Sequence, residues 1–167
     1  MQCTTIYDSP IGQLTIEGED NQLVGIWYEH QLTEATQETT TTINMPVLDD
    51  TKRWLDLYFA YKIPTFTPSI CFKGTAFRQQ VWGELLKIGY GETTTYGRIA
   101  KEIATQNHIA RMSAQAVGGA IGHNPISIIV PCHRVIGADG TLTGYAGGIE
   151  RKQILLEIER KTYNLTL

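Results

Sequence analysis

The sequence predicts an α+β fold, with an N-terminal α/β domain built on a small antiparallel sheet and a C-terminal, mostly helical domain that contains a helix-turn-helix. Short strand-like segments separated by turns fill the first thirty positions, and short helical segments joined by loops fill the second half. The charge also divides the chain: residues 1–70 hold 3 Lys and Arg against 10 Asp and Glu, whereas residues 71–167 hold 11 against 7. We therefore expect two domains, 1–70 and 71–167.

The composition is that of a globular protein. Of 167 residues, 42% are hydrophobic and 19% are charged, which excludes a disordered tail protein and a collagen. Apolar runs such as Ile128–Val130 are far shorter than the ~20 residues that a membrane span requires, and the first residues lack the features of a signal peptide. We expect a cytoplasmic protein with no membrane contact. The positive charge of the second half indicates either an anionic partner or chance variation on a solvated surface.

In the N-terminal half the pattern predicts three strands, over Cys3–Tyr7, Leu14–Glu17 and Leu23–Tyr28. Turn residues lie between them at Ser9–Gly12 and Gly18–Asn21. This is the order of a β-meander, in which neighbouring strands are antiparallel.

The segment that follows the strands, Thr33–Thr42, is polar and has no period, so it is a loop or a weak edge element. Pro46 is typical of a first helical position and begins a helix to about Tyr61. The Pro64–Pro68 segment cannot continue a helix. Because the charge of the chain also changes sign there, we predict that this segment links the two domains.

In the C-terminal half, Thr75 caps a first helix and a second runs from Thr95 to about Ala104. Ser113 caps a third helix, which ends at Gly122, and the second and third helices form the expected helix-turn-helix. The segment Ile126–Val130 is predicted to be a short buried strand. A terminal amphipathic helix is expected over residues 149–164.

The three cysteines, Cys3, Cys71 and Cys132, form no C-x-x-C pair, and their odd number argues against a disulfide framework and a zinc ribbon. One of them has a neighbourhood that suits chemistry. The segment Pro131–Arg134 places Cys132 directly after the predicted strand and beside a histidine that can relay its proton. A buried structural cysteine beside a surface histidine is the alternative interpretation.

The third helix of the C-terminal half is rich in small residues. Two adjacent glycines, Gly118 and Gly119, cost a helix about 2 kcal/mol relative to alanines, so another backbone is expected to approach closely. A packed helix and a nucleic-acid groove both meet this requirement. At the start of the helix, Gln115 is the longest polar side chain and can reach a base stack.

Three further features are suggestive. The amide of Asn124 can orient a loop, although turn residues are common there. Glu159 is a carboxylate among apolar residues of the last helix. Such a residue is more often at a solvated edge of the helix than a catalytic partner. The loop Tyr145–Gly148 combines an aromatic ring with small residues and can wall a flat ligand.

Taken in order along the chain, these motifs strongly resemble the O6-alkylguanine-DNA alkyltransferases, also called methylated-DNA–protein-cysteine methyltransferases. The resemblance is close from Phe77 to about Glu159, and Asp8–Gly12 looks like the opening of the family's variable N-terminal domain. It is carried by separate segments: Tyr90–Thr93, Tyr96-Gly97, Ala116–Ala120, Asn124-Pro125, Pro131–Val135, Leu142–Gly148 and Leu155–Glu157.

The resemblance implies a reaction. The protein would transfer an alkyl group from O6-alkylguanine, and also from O4-alkylthymine, in double-stranded DNA to its own Cys132. It would act once, as a monomer and without a cofactor. The helix-turn-helix would enter the minor groove, and the damaged base would flip out of the stack, which costs a few kcal/mol. Some relatives bind zinc in the N-terminal domain, but with only Cys3 there we expect no metal.

The resemblance also implies site residues. His133 would take the thiol proton through a water, Glu159 would hold the imidazole, Asn124 would support the turn, and Tyr96 would hydrogen-bond the flipped base. The backbone of Cys132, Val135 and Ala146 would read the edges of guanine. Further DNA or substrate contacts are expected at Gln115, Ala116, Gly118, Gly119, Arg134 and Tyr145.

Two departures from the family pattern concern binding. Many relatives carry an arginine where this chain has Gln115, which is shorter and uncharged, and the preceding loop Thr105–Met112 is longer than in some relatives. Ala146 replaces a serine of some members, but the implied contact is main-chain. Two other function classes remain: a lesion binder without chemistry, against which Cys132 argues, and a cysteine hydrolase, which would turn over repeatedly.

Overall fold

The N-terminal half of the computed structural model, which describes residues 2–34, 36 and 44–166, is a three-stranded antiparallel meander. Its strands are β1 (Gln2–Ser9), β2 (Gly12–Glu19) and β3 (Gln22–Tyr28), in the spatial order β1-β2-β3. The second hairpin turns on Asp20 and Asn21, whose φ angles of 50° and 60° match the twist of the strands. The predicted sheet is confirmed; most of the predicted loop Thr33–Thr42 lies outside the described residues.

One helix covers this sheet. Helix α1 (Pro46–Phe59) has its proline in the first turn, where the missing N–H needs no partner. It buries an apolar stripe at helical spacing against the strands, made of Val47, Leu48, Trp54, Leu55 and Tyr58.

The C-terminal half contains α2 (Ala76–Leu85), α3 (Tyr96–Gln106), α4 (Ala114–Gly122) and α5 (Ile149–Thr166). The first three begin as predicted: the hydroxyls of Thr75, Thr95 and Ser113 each accept a hydrogen bond, 3.2 Å long, from the backbone N–H three residues on. The loop between α3 and α4 completes the helix-turn-helix. None of the described helices is both long and apolar enough to cross a membrane.

The predicted strand Ile126–Val130 is wrong. Only Ile126 forms a bridge, parallel to Ile26 in β3, and the rest of the segment is turn, with Ile128 at a φ of 74°. The whole run is buried, and a run of apolar residues reports burial without fixing conformation. Instead, two-residue strands β4 (Thr94–Thr95) and β5 (Val135–Ile136), which the sequence pattern did not indicate, pair in parallel; β4 leads directly into α3, and β5 directly follows Arg134.

Two contacts, one between the halves and one within the C-terminal half, fix the position of Cys132. Ile26 N–H of β3 donates to the Pro125 carbonyl at 2.9 Å, which joins the sheet to the buried turn. The indole of Trp82 in α2 donates to the Ala120 carbonyl in α4 at 2.8 Å. Cys132 therefore begins a single 3-10 turn, Cys132–Arg134, that is held between the sheet and the helices.

Candidate active site

The thiol of Cys132 is buried and protonated. Burial raises its pKa to about 11, although a hydrogen bond with Asn124 and the positive charge of Lys152 act in the opposite direction. At neutral pH the side chain is therefore almost entirely a thiol. Because the thiolate is the attacking species in nucleophilic chemistry, a base must remove this proton as the reaction proceeds.

His133, the next residue, is hydrogen-bonded through Nε2 to Oε2 of Glu159, and both side chains are buried. Burial lowers the pKa of His133 more than the attraction of Glu159 raises it, so the imidazole is neutral near pH 7. Since a carboxylate only accepts, Nε2 carries the hydrogen and Nδ1 carries the lone pair. Nδ1 is buried and has no hydrogen-bond partner among the described residues, which leaves it free to accept a proton.

Glu159 is fixed by four donors from three parts of the chain. Besides His133, its carboxylate accepts from the Tyr58 hydroxyl at 2.7 Å, from Nε of Arg134 at 2.7 Å and from the Gly91 N–H at 3.1 Å. Burial alone would raise the pKa of Glu159, but the interactions of its carboxylate with His133 and Arg134 outweigh burial and bring the pKa to about 2. A permanent carboxylate therefore faces the imidazole.

Asn124 closes the turn that carries Cys132. Its amide Nδ2 donates to the carbonyls of Val130 at 2.9 Å and Ile126 at 3.3 Å, and its Oδ1 accepts from the Ile126 N–H at 3.0 Å. A single buried side chain thus satisfies backbone groups that a strand would have paired with a neighbouring strand.

A cavity of about 620 Å³ opens beside the thiol. Its lining brings together six of the residues expected from the sequence, which come from α3, α4, the 3-10 turn and the loop before α5: Tyr96, Gln115, Gly118, Cys132, Tyr145 and Ala146. The Tyr96 hydroxyl accepts a hydrogen bond from Thr143 at 3.0 Å, which joins two walls of the cavity. The space is sufficient for a small aromatic ligand.

The glycines of α4 are not explained by internal packing. A Cβ at Gly118 would lie at an ordinary 3.6 Å from the Tyr96 ring, and a Cβ at Gly119 would meet no described atom within 4 Å. Gln115, Gly118, Gly119 and Gly122 share one helix face by their spacing, while Ala116 is also exposed but does not line the cavity. This smooth outer face permits close approach by another molecule.

Two residues expected to contact DNA or substrate, Arg134 and Val135, lie in the interior of the protein. The Arg134 guanidinium is buried, with Nε on Glu159 and Nη1 donating to the Ile88 carbonyl at 2.8 Å, so its charge serves the interior and not DNA. Val135 is also buried, and its carbonyl accepts a 2.6 Å hydrogen bond from Lys152. Neither residue is among the described residues that line the cavity.

Lys152 and Tyr58 were missed by the sequence reasoning. The ammonium of Lys152 is fully buried and donates to the carbonyls of Val135 and, at 2.7 Å, of Thr143. Its place on the inner face of α5, three residues before Leu155 and seven before Glu159, was a usable signal. Tyr58 lies in α1, and no sequence pattern links it to Glu159, 101 residues away.

Metal ligation has little support in the geometry. Within residues 2–34, 36 and 44–166, no group of three or more His, Cys, Asp or Glu side chains is placed to hold a metal ion. The three cysteines are free thiols and lie apart.

Comparison with known proteins gives a consistent result. The chain matches two domain families, described as the ribonuclease-like domain of 6-O-methylguanine DNA methyltransferase, over residues 3–69, and its DNA binding domain, over residues 76–161. A methylated-DNA–protein-cysteine methyltransferase of Mycobacterium bovis is 46% identical over 156 residues, which are 92% of this chain and 89% of that relative. The Haemophilus influenzae protein of the same name is 38% identical over 95% of this chain and 87% of its own length.

Solved structures agree. The crystal structure of the Mycobacterium tuberculosis O6-methylguanine methyltransferase is 44% identical, with a TM-score of 0.84 over 97% of this chain and 94% of that one. Mycobacterium tuberculosis OGT in complex with DNA gives a TM-score of 0.80 at 44% identity, over 96% of this chain and 93% of that one. By sequence and by fold, the chain belongs to the family of methylated-DNA–protein-cysteine methyltransferases.

Proposed function

We propose that this protein repairs alkylated DNA by moving an alkyl group from O6 of guanine to Sγ of Cys132, once per molecule. The observation that carries this proposal is a protonated thiol in a ligand-sized cavity, beside a neutral histidine whose free nitrogen can take the thiol proton. O4-alkylthymine, which presents the same alkyl–oxygen bond, is a second substrate.

The chemistry is a displacement at the alkyl carbon. The thiol proton passes through a water to Nδ1 of His133, the S–C bond forms and the C–O6 bond breaks. The electrons of the broken bond stay on guanine, which takes up a proton from solvent to give the normal base, and the imidazolium of His133 releases its proton to solvent. Since the product is a thioether and nothing restores the thiol, the protein acts once. The carboxylate of Glu159 stabilises the imidazolium that forms for part of this path.

Binding requires that the damaged base leave the stack, because the thiol is buried and a duplex cannot enter the cavity. The smooth outer face of α4 supports docking in the minor groove, where Gly118 and Gly119 allow the backbone to come close. Tyr96 and the backbone of Cys132 and Ala146 line the cavity and are proposed to hold the base. The exposed Gln115 would fill the gap that the flipped base leaves.

We also propose that the domain boundary lies between residues 70 and 71, and that the protein works as a monomer in the cytoplasm. A reducing compartment suits a mechanism that needs a free thiol, and all three cysteines are free.

A stoichiometry experiment tests the proposal. Protein is mixed with a tenfold excess of duplex containing O6-methylguanine, and the restored guanine is counted. We expect one guanine per protein molecule and then no further reaction. Cys132→Ser should give none but should still bind the duplex, whereas Cys71→Ala, the matched control, should behave as wild type. Continued turnover would indicate a hydrolase, and binding by wild type without restored guanine would indicate a lesion binder.

A further inference from the structure

One wall of the cavity beside Cys132 is an irregular loop that contacts the N-terminal sheet. Between β5 and α5, the segment 143–148 contains three glycines and no helix or strand. The loop has one internal backbone hydrogen bond of its own, from Gly148 N–H to the Tyr145 carbonyl at 2.9 Å, and Lys152 holds its start. The side of the loop that carries Tyr145 and Ala146 is held instead by residues from β3 and the turn after it.

The first of these residues is Tyr28, at the end of β3. Its hydroxyl is hydrogen-bonded to the hydroxyl of Tyr145 at 2.7 Å, and the two rings meet edge to face with centroids 5.9 Å apart. The loop lies so close to Tyr28 that a Cβ on residue 147 would come within 2.6 Å of its ring, so only Gly147 fits. The guanidinium of Arg151 covers the Tyr28 ring at 4.7 Å and keeps it in place.

The second residue is His30. Its Nε2 lies 2.7 Å from the carbonyl oxygen of Ala146, and because a carbonyl only accepts, Nε2 must donate. The imidazole also stacks on Tyr28, with an angle of 11° between the rings. Tyr28 and His30 thus stack on each other and hydrogen-bond to two consecutive residues of the cavity wall.

Tyr145 and Ala146 lie beside the thiol of Cys132. Tyr145 and Ala146 line the cavity together with Cys132, and the Tyr145 ring meets the His133 ring edge-on with centroids 6.4 Å apart. The distance between this wall and the thiol determines how much room an alkyl group has. A shift of about 1 Å there is enough to change a rate severalfold, since displacement needs a near-attack geometry.

We propose that Tyr28 and His30 are positioning residues that hold the wall of the cavity and thereby determine which size of alkyl group is transferred efficiently. This inference rests on the proposed function of Cys132. The residues do not touch the reacting atoms. They act through Tyr145 and Ala146. The N-terminal domain thereby influences which alkyl groups react at a nucleophile that lies in the C-terminal domain.

The test uses the full-length protein and duplexes carrying either O6-methylguanine or O6-benzylguanine. The variants are Tyr28→Phe, which keeps the ring and removes the hydroxyl, His30→Ala, and His30→Gln, which retains an N–H donor. The matched control is Tyr7→Phe, because Tyr7 is in the same sheet and its hydroxyl donates to Asp56 at 2.7 Å, away from the cavity. Single-turnover rates at saturating duplex, duplex affinity and thermal unfolding are measured for each variant.

We expect Tyr28→Phe and His30→Ala to slow methyl transfer roughly 2- to 10-fold, the range for one lost hydrogen bond. Benzyl transfer should fall less, so that the benzyl-to-methyl ratio rises at least about twofold, with duplex affinity unchanged. His30→Gln should recover most of the loss, and Tyr7→Phe should leave the ratio as in wild type.

The proposal is overturned if the ratio is unchanged in both Tyr28→Phe and His30→Ala, whether their rates stay normal or fall in parallel with stability. Because the side chain of His30 is exposed, we expect its variants to fold as wild type does. They therefore test the proposal even if Tyr28→Phe is destabilised. An absence of transfer by wild type would instead refute the proposed function, which separates the two failures.

Discussion

The hydroxyl of Tyr58, in helix α1 of the N-terminal half, donates a 2.7 Å hydrogen bond to the carboxylate of Glu159 in the C-terminal helix α5. Both side chains are buried, and the same carboxylate oxygen is bonded to His133. The N-terminal half therefore contacts the proposed proton relay through α1 and the cavity wall through β3. Both connections predict that changes far from Cys132 in the sequence alter its chemistry.

Replacing Tyr58 by Phe should weaken both stability and transfer. The variant leaves a buried carboxylate with one donor fewer, which costs about 1–3 kcal/mol, and it allows the pKa of Glu159 to rise. Urea unfolding and single-turnover rates measure the two effects. Tyr163→Phe, on the exposed side of α5, is the control and should change neither. A Tyr58→Phe protein with wild-type stability would show that this hydrogen bond contributes nothing.

Replacing Glu159 by Gln should slow transfer more than it weakens DNA binding. The amide keeps the shape but cannot stabilise a protonated His133, nor neutralise the buried Arg134. The surface of α4 that we propose to face DNA is left intact. The comparison is a single-turnover rate against duplex affinity for the same preparation. Equal losses in both would point to a folding defect or to a different proton path.

The acid stability of the protein should depend on the same two residues. The pKa of Glu159 is about 2 when folded, against 4.5 normally, so its contribution is complete above 4.5 and is lost as the pH falls towards 2. The pKa of buried His133 is also lowered, from 6.5, so the unfolded chain takes up this proton first and stability declines below about pH 6.5. Unfolding free energy measured against pH should fall in both windows. A Glu159→Gln protein that loses as much stability as wild type between pH 4.5 and 2 would contradict the assignment.

The pH dependence of transfer should differ between wild type and His133→Ala. In wild type the rate should be flat between about pH 7 and 9, because neutral His133 takes the proton from a thiol that remains protonated. Without His133, Cys132 reacts only in the fraction of molecules that has already lost the thiol proton to solvent. The rate should therefore rise about tenfold per pH unit towards the thiol pKa of about 11. Rates with free O6-benzylguanine avoid any effect of pH on DNA binding. Parallel profiles for the two proteins would exclude His133 as the base.

Gln115 should matter only when a base must be flipped. Gln115→Ala leaves the base opposite the flipped one without a polar contact. The reaction with duplex should therefore lose about 1–3 kcal/mol of stabilising free energy, and the reaction with free O6-benzylguanine should lose little. Gln115→Arg should keep duplex repair and steepen its salt dependence, because a new cation releases a counterion. Rates on both substrates and thermal melting are compared. Equal slowing on the two substrates would mean that Gln115 serves only the helix itself.

Local chemistry explains what the sequence could predict. The starts of α2, α3 and α4 depend on a hydroxyl and an N–H three residues apart, so Thr75, Thr95 and Ser113 could be read directly. The strand predicted at Ile126–Val130 failed because apolar content reports burial alone. The conformation there depends on the side chain of Asn124.

The site could be predicted only in part. His133 and Glu159 are separated by 26 residues and lie on different elements, so family resemblance and not spacing connected them. Arg134 was expected to contact DNA or substrate, yet in the structure its charge neutralises the buried carboxylate of Glu159. Tyr28 and His30 gave no signal, because their partners Tyr145 and Ala146 are more than 110 residues away.

The most direct test of the central claim is the site of alkylation. Wild-type protein is mixed with one equivalent of duplex containing O6-methylguanine, digested and analysed by mass spectrometry. We expect a gain of one methyl group on the peptide that contains Cys132, and unmodified peptides for Cys3 and Cys71. Methylation of Cys3 or Cys71 in place of Cys132, or restored guanine without any methylated peptide, would contradict it.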